Sequence, residues 1–563
     1  MALDPFLISI LSNFRKSYGY EDLPDPDAFE RLVAFCCVAA QHPHEFEIDD
    51  VCPGGGHDLG LDTFAVVASG HVITNIEQWL DITKTLRRVD VTFVLSQAKM
   101  SSHFDSAAIG TFLEGALAFF QPAPSLPENE DIANYRQLKD KIYSDTHMLI
   151  ERPSLYLNYA CAGSWQNDPH VVARLETGKV RLEQTKLFKR VEFRPLDSEN
   201  LRAMYAELSQ PATVTIDLPN HATIPELPRV RQAYIGIIAC SEYLKLIQDG
   251  EGRIRRTVFS DNVRDFQGNN PVNNEIHATV TDANEQQWLP LLNNGVTVVA
   301  RQIQQVGTKF HLQGFQIVNG CQTSYVLWSN SDSLRPGVTM PIKLIETMDA
   351  EFTAKVIQAT NRQTEVKMEA FESLRTFHRD LEEYYNAMLD QSPIPLRYER
   401  RSGQYDWSDV EQRHVVSLAS QIKAYLAVFL EEPHSTHRYY GELLDVYRSR
   451  LFRDEIKDYG SYYTAALIMF CADALLKAEY TDLRILRPHI ALLIRQTFGD
   501  VPGKAKERTK YEARIIETVK DKTHFTELFA EAVKEIKYAH HIRGESYHDL
   551  SRRREFTRAL AKR

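Results

Sequence analysis

The sequence predicts an α/β protein that ends in a helical region, and three observations carry that prediction. Strand-like apolar runs alternate with helical patterns through the N-terminal part of the chain. Short apolar strands set among Asn and Gln fill the middle, between about residues 261 and 330. From about residue 405 onward the patterns are those of long amphipathic helices, such as "VSLASQIKAYLAVFLEE" and "YTAALIMFCADALLKA".

The elements follow in order. "DPDAFERLVAFCCVAAQ" opens with Pro26 and Asp27, good helix-start residues, and gathers Phe29, Leu32, Val33 and Cys36 on an apolar face. After the turn "CPGGGHDLG", "LDTFAVVASG" reads as a strand, "NIEQWLDITKTLRR" as a helix and "VDVTFVLS" as the next strand. "SAAIGTFLEGALAFFQ" and "DIANYRQLKDKIYS" are helical, and "SLYLNYACAG" is a strand. Further on, "FKRVEFRPLD", "ATVTIDL", "QAYIGIIAC", "GVTVVARQI" and "KFHLQGFQIVNG" read as strands, with helices at "DSENLRAMYAELS" and "SEYLKLIQDG". Boundaries near 210 and 400 divide the chain into residues 1–210, 211–400 and 401–563.

The chain has 563 residues, 43% hydrophobic and 25% charged, as in an ordinary soluble globular protein. A net charge of −11 excludes a surface coated with positive charge but leaves room for a local basic groove. Seven cysteines without a CxxC, an odd count, point to a reducing cytoplasm rather than a disulfide framework. The first residues lack the pattern of a signal peptide, and no apolar stretch approaches the roughly 18 residues of a membrane span. "GDVPGKAKERTK" is not a phosphate-binding P-loop, because its spacing is short and no Ser or Thr follows the Lys.

One strand poses a chemical question. In "VDVTFVLSQAK" the face carrying Val91, Phe93 and Leu95 continues into Gln97 and Lys99. An unpaired buried ammonium is costly, so an anionic partner is expected there. Metal-dependent phosphodiester cleavage has such a demand: carboxylates for a hard cation, a positive charge for the phosphate, and an in-line water. Two adjacent strands can supply it, with an Asp at the end of one and an acid or amide at i and a Lys at i+2 of the other. Asp62, Gln97 and Lys99 have that arrangement, and Glu30 on the preceding helix offers a second carboxylate. Asp58 and Glu47 compete with Glu30 for that role, and His57 and His103 flank the stretch. Ordinary structural readings stand beside this one: Asp62 as a turn cap, Lys99 as a strand-end lysine and Glu30 as an exposed helix residue.

These residues resemble the PD-(D/E)XK nuclease superfamily, in the Mrr-like form where QxK replaces ExK. "GHDLGLDTFAVV", "FVLSQAKMSSHFD" and "GTFLEGALAFF" resemble the N-terminal nuclease of the AIPR (abortive infection phage resistance) family. "SDNVRDFQGNNPVNNEI", "LPLLNNGVTVVA", "FQIVNGCQTSYVL", "QATNRQTEVK" and "YERRSGQY" resemble that family's signature segments in the same order. The resemblance implies a restriction-endonuclease-like α/β core at 1–210. It implies a central mixed α+β AIPR domain at 211–400, a sensor or nucleic-acid-binding unit, and the α-helical C-terminal part of that domain at 401–563.

The implied activity is that of a Mg²⁺-dependent (or Mn²⁺-dependent) endonuclease of prokaryotic anti-phage defence. Its substrate is DNA in preference to RNA, and its partner is a second copy of the chain or another defence protein. Asp62, Glu30 and Gln97 would hold the metal, with the Ala98 carbonyl as a further donor, and Lys99 would activate water and offset phosphate charge. A neutral Gln97 favours one metal over two. An RNase, or an inactive or partner-dependent nucleic-acid-binding regulator, fits the same residues.

Nucleic-acid contacts are expected from two further places. "RYERRSGQY" sets Arg397, Arg400 and Arg401 beside tyrosines, a mixture suited to phosphate and base. "IVNGCQT" ends a strand with Asn319 and begins a helix at Gln322, a turn whose N–H groups can face an anion. The competing reading of that turn is a buried polar network.

Overall fold

A strand buried on both faces reads as a nearly unbroken apolar run, and two strands of the N-terminal sheet have that character. The computed structural model describes residues 4–42, 46–86, 88–250, 252–259, 271–360, 372, 375–392, 394–400, 403–405 and 408–561. In it β1 (Thr63–Ala68) is buried throughout, and β3 (Val91–Lys99) is buried up to its last residue. With β2 (His71–Ile73), β4 (Ser154–Cys161) and β5 (Arg190–Leu196) they form a five-stranded sheet of order β2-β1-β3-β4-β5. β1 runs antiparallel to both its neighbours, whereas β3, β4 and β5 are parallel.

Helices cover both faces of this sheet. α1 (Pro5–Tyr18), α2 (Asp25–Ala39) and α7 (Ser198–Ser209) pack Leu11, Phe29, Leu32 and Leu201 against Ala65, Val94 and Ala160. The other face carries Phe64, Val66, Phe93 and Leu95. Against it lie α3 (Ile76–Thr85), α4 (Ser106–Phe120), α5 (Glu130–Ser144) and α6 (Pro169–Gln184). The strands and helices expected here all form, and α1, α6 and the short edge strand β2 are added to them.

The second sheet has six strands: β6 (Thr213–Asp217), β7 (Asn220–Thr223), β8 (Gln232–Ala239), β9 (Val296–Val306), β10 (Lys309–Asn319) and β11 (Thr339–Glu346). Their order is β6-β10-β9-β11-β8-β7, antiparallel except for β9 with β11. From Thr376 onward helices dominate, around a core that includes Leu381, Tyr385, Ile422, Leu467, Ile490 and Phe529. One strand interrupts the stretch expected to be helical: β13 (Val415–Ser417), parallel to β12 (Arg397–Glu399). Among the described residues no helix is long and apolar enough to cross a membrane. None of the seven cysteines forms a disulfide, and six of them are buried.

The C-terminal helices are joined to the N-terminal sheet by charge. Arg438 pairs with Asp81 at 2.6 Å, Arg413 with Glu21 at 2.9 Å and His548 with Asp131 at 2.8 Å. The densest cluster surrounds Asp49. Tyr20 donates to it at 2.9 Å, and Arg31, Arg484 and Lys477 lie at 3.3, 3.3 and 3.9 Å. Burial alone would raise the Asp49 carboxyl, but Arg484, Lys477 and Arg31 together hold it below the usual range.

Candidate active site

The antiparallel pairing of β1 with β3 ends at Thr63 opposite Ser96, so Asp62 and Gln97 face each other one step beyond it. Asp62 accepts the Ala98 N–H at 2.8 Å through Oδ2, and Lys99 Nζ stands 3.5 Å from the same oxygen. The two side chains differ in depth, 9% exposed for Asp62 and 42% for Lys99. Lys99 therefore stands at the rim rather than on the buried face, with a carboxylate beside it, and escapes the cost of deep burial. Gln97 is the buried member, at 6% exposure. Its Oε1 has no hydrogen-bond partner among the described residues.

The loop before β1 is tightly shaped. His57, Leu59 and Gly60 all have left-handed backbone, at φ 63°, 60° and 71°. Asp58 Oδ1 accepts the Gly60 N–H at 2.8 Å. A Cβ on Gly60 would stand 3.3 Å from Gln97 Nε2, so glycine serves both the turn and the amide above it. α4 clamps the loop from behind: a Cβ on Gly115 would lie 1.9 Å from the Leu59 carbonyl oxygen. Gly115→Ala is therefore expected to cost about 1–3 kcal/mol by overpacking. On the same helix, a Cβ on Gly110 meets only the flexible side chain of Arg174. Gly110→Ala should lie much nearer to wild type in urea unfolding of the pair.

Glu30, on α2, completes the cluster. Burial pushes its carboxyl up to about 7, and the neighbouring Asp62 carboxylate adds to the rise against Arg31 and Lys99. Burial likewise raises Asp62, opposed by Lys99 and the Ala98 N–H. The folded protein thus keeps a proton on Glu30 that the unfolded chain releases near 4.5. Its contribution to stability is full below that value and lost as pH rises through about 7. With EDTA present, Glu30→Gln should match wild type in Tm near pH 4.5 and exceed it at pH 8. Equal pH slopes for the two proteins would refute this.

The competing acids are accounted for. Asp58 is engaged in the loop turn, although its charge reaches Asp62. Glu47 is drawn away to Arg487, at 3.4 Å. His57 and His103 are exposed.

Two buried or half-buried carboxyls, one orphan amide oxygen and one ammonium make a site short of positive charge. Asp62, Glu30 and Gln97 Oε1 are oxygen donors of the kind a hard divalent cation takes, usually together with water. Among the described residues no group of three or more His, Cys, Asp or Glu side chains is placed to hold a metal.

The other expected contacts lie elsewhere. Arg400 is only 10% exposed and pairs with Glu382 at 2.9 Å, and Arg397 donates to Asn386 at 3.3 Å. Arg401 lies outside the described residues, as do most of "SDNVRDFQGNNPVNNEI" and "QATNRQTEVK". Asn319 donates to the Thr360 carbonyl at 2.9 Å, and Gln322 accepts from Asn273 at 2.7 Å. Thr323 and Ser324 bond to Asn293 and Tyr243, so this turn is tied into a polar network. Arg31, which bridges Glu30 to Asp49 at 3.4 and 3.3 Å, is a neighbour of the site that sequence reasoning missed. Its only sequence signal is adjacency to Glu30.

No curated protein and no solved structure matches the chain. The model of the family described as AIPR protein matches residues 259–542, just over half of the 563 residues. The match begins beyond Glu30, Asp62, Gln97 and Lys99, and it takes in β9, β10 and β11 of the second sheet and most of the helical region. The chain belongs to the AIPR protein family.

Proposed function

We propose that the chain is a metal-dependent nuclease with its active site at Asp62, Gln97, Lys99 and Glu30. The observation that carries this reading is the buried Gln97 Oε1, without a hydrogen-bond partner among the described residues, facing Asp62 across β1 and β3, with the Lys99 ammonium at the rim. Asp62, Glu30 and Gln97 would hold Mg²⁺ or Mn²⁺, which when bound polarises a phosphodiester and lowers the pKa of water. Lys99 meets the non-bridging phosphate oxygens and balances the charge that grows on them. Asp62, fixed by the Ala98 N–H, keeps its second oxygen clear of that hydrogen bond. Membership of the AIPR family suggests a role in phage defence or abortive infection, and DNA is the preferred substrate in this reading.

A second reading, a nucleic-acid-binding regulator without catalysis, draws on the same donor set, because a neutral amide binds a cation more weakly than a third carboxylate would. The purified chain incubated with plasmid DNA, linear DNA and single-stranded RNA, with Mg²⁺, Mn²⁺ or EDTA, separates the readings. Metal-dependent cleavage that Asp62→Ala lacks supports the nuclease, and the substrate cut names its class. Intact substrates under every condition, together with metal-independent binding, favour the regulator.

A further inference from the structure

A row of polar side chains crosses one end of the N-terminal sheet and extends a strand beyond the site described above. Gln97 faces Asp62 on one side and is in register with Tyr159 of the parallel strand β4 on the other. Paired residues of neighbouring strands point to the same face. Asp62, Gln97 and Tyr159 therefore share the face that carries Phe64, Phe93 and Leu95. Gln97 and Tyr159 each stand two residues before the end of their strands, Lys99 and Cys161. The carboxyl ends of parallel strands are where open α/β sheets place their ligands.

A buried tyrosine hydroxyl ordinarily finds a hydrogen-bond partner. Tyr135 donates to the Asp50 carbonyl and Tyr385 to Gln421, while Tyr243 and Tyr398 bond to Ser324 and His378. Tyr159 is 1% exposed, yet its hydroxyl makes no hydrogen bond to any described residue. Its ring is held by Phe104 and Phe112, with centroids at 5.9 and 6.3 Å. Burial, with the charges of Cys161, Asp105 and Asp62 adding to it, pushes the phenol up to about 12, so the group stays a donor. An unused donor thus stands one strand away from an unused acceptor, Gln97 Oε1, and the two do not bond each other. A metal ion alone would draw on the acceptors of the row and leave the phenol idle. An anion uses it, because phosphate oxygens form strong hydrogen bonds with donors such as a phenol and an ammonium.

We propose that the Tyr159 hydroxyl is a substrate contact, donating to a non-bridging oxygen of the bound phosphodiester. It rests on the nuclease reading for the identity of the ligand. Tyr159→Phe removes the hydroxyl and keeps the ring. Because no hydrogen bond within the protein is lost, the Tm of the variant in EDTA should equal or exceed that of wild type. Fluorescence anisotropy of labelled double-stranded DNA and single-stranded RNA with the full chain in Ca²⁺ reads binding apart from cleavage. Tyr159→Phe should bind the preferred strand roughly tenfold or more weakly, as expected for a lost hydrogen bond to a charged group. Single-turnover cleavage in Mg²⁺ should slow at least as much.

If Tyr159→Phe binds and cuts as wild type does while Asp62→Ala is inactive, the inference is overturned and the nuclease reading stands. A Tm well below that of wild type overturns it too, since the hydroxyl would then be bonded within the protein. If wild type binds a strand but never cuts it, the nuclease reading falls. Weaker binding by folded Tyr159→Phe then still supports the contact, and equal binding overturns it. A wild type that neither binds nor cuts overturns both.

Discussion

Asp62→Ala should abolish cleavage while leaving the chain folded. Asp62 sits just outside β1, accepts one backbone N–H and pairs with the rim lysine Lys99, so its removal costs a hydrogen bond of about 0.5–1.5 kcal/mol and a partly exposed ion pair of under about 1 kcal/mol. The same change deletes a carboxylate that faces the orphan amide oxygen and pairs with the rim lysine. Lys99→Ala should also be severe, with a loss of about 10²–10³-fold if the ammonium acts on developing phosphate charge. Lys99 is 42% exposed, so its loss should scarcely move Tm. Single-turnover cleavage rates set beside thermal unfolding give the contrast. Variants that cut as fast as wild type would place the active site elsewhere.

Asp49→Ala should be the most destabilising of the single changes considered, at about 3–5 kcal/mol. The Asp49 side chain is 9% exposed, and its removal leaves Arg31, Arg484 and Lys477 facing one another, at 16%, 19% and 19% exposure. A surface pair gives the scale: Arg181 and Glu114 are about half exposed, and breaking them should cost under about 1 kcal/mol. Urea unfolding of Asp49→Ala and Glu114→Ala tests the ranking. Because the Asp49 carboxyl is held below its usual range, its contribution is present at neutral pH and lost as pH falls through the folded value. The difference between wild type and Asp49→Ala should therefore narrow in acid. Arg31 touches both Asp49 and Glu30, so the same variant should also slow cleavage, which Glu114→Ala should not.

The legible parts of the fold were those whose signal is local. β1 and β3 announce themselves as apolar runs, and the opposition of Asp62 to Gln97 follows from strand pairing once both are placed. α6 was harder to read, because its buried positions Val171, Leu175, Gly178 and Leu182 include a glycine. That glycine is what the packing needs, since a Cβ there would press on Leu113 at 2.7 Å. β11 keeps a period of two, at Met340, Ile342 and Leu344, but carries Pro341 in a central strand. The proline is tolerated because the ladder with β9 begins one residue later, at Ile342.

The Asp49 cluster was not legible at all. It joins segments far apart in sequence, and no periodicity records which charges will meet. Arg400 shows the converse, since an arginine-rich string that suggests nucleic acid holds an ordinary ion pair with Glu382.

The charged seam between the N-terminal sheet and the C-terminal helices also has a meaning in time. Asp49 and Asp62 are synthesised some 400 residues before Arg484 and Lys477. At roughly 5–20 residues per second the interval is about 20–80 s. Throughout it the nascent N-terminal sheet carries Asp49, Asp81 and Asp131 without the cations that later close over them. The segment bearing Glu30 and Arg31 therefore reaches its final setting only after nearly the whole chain has left the ribosome.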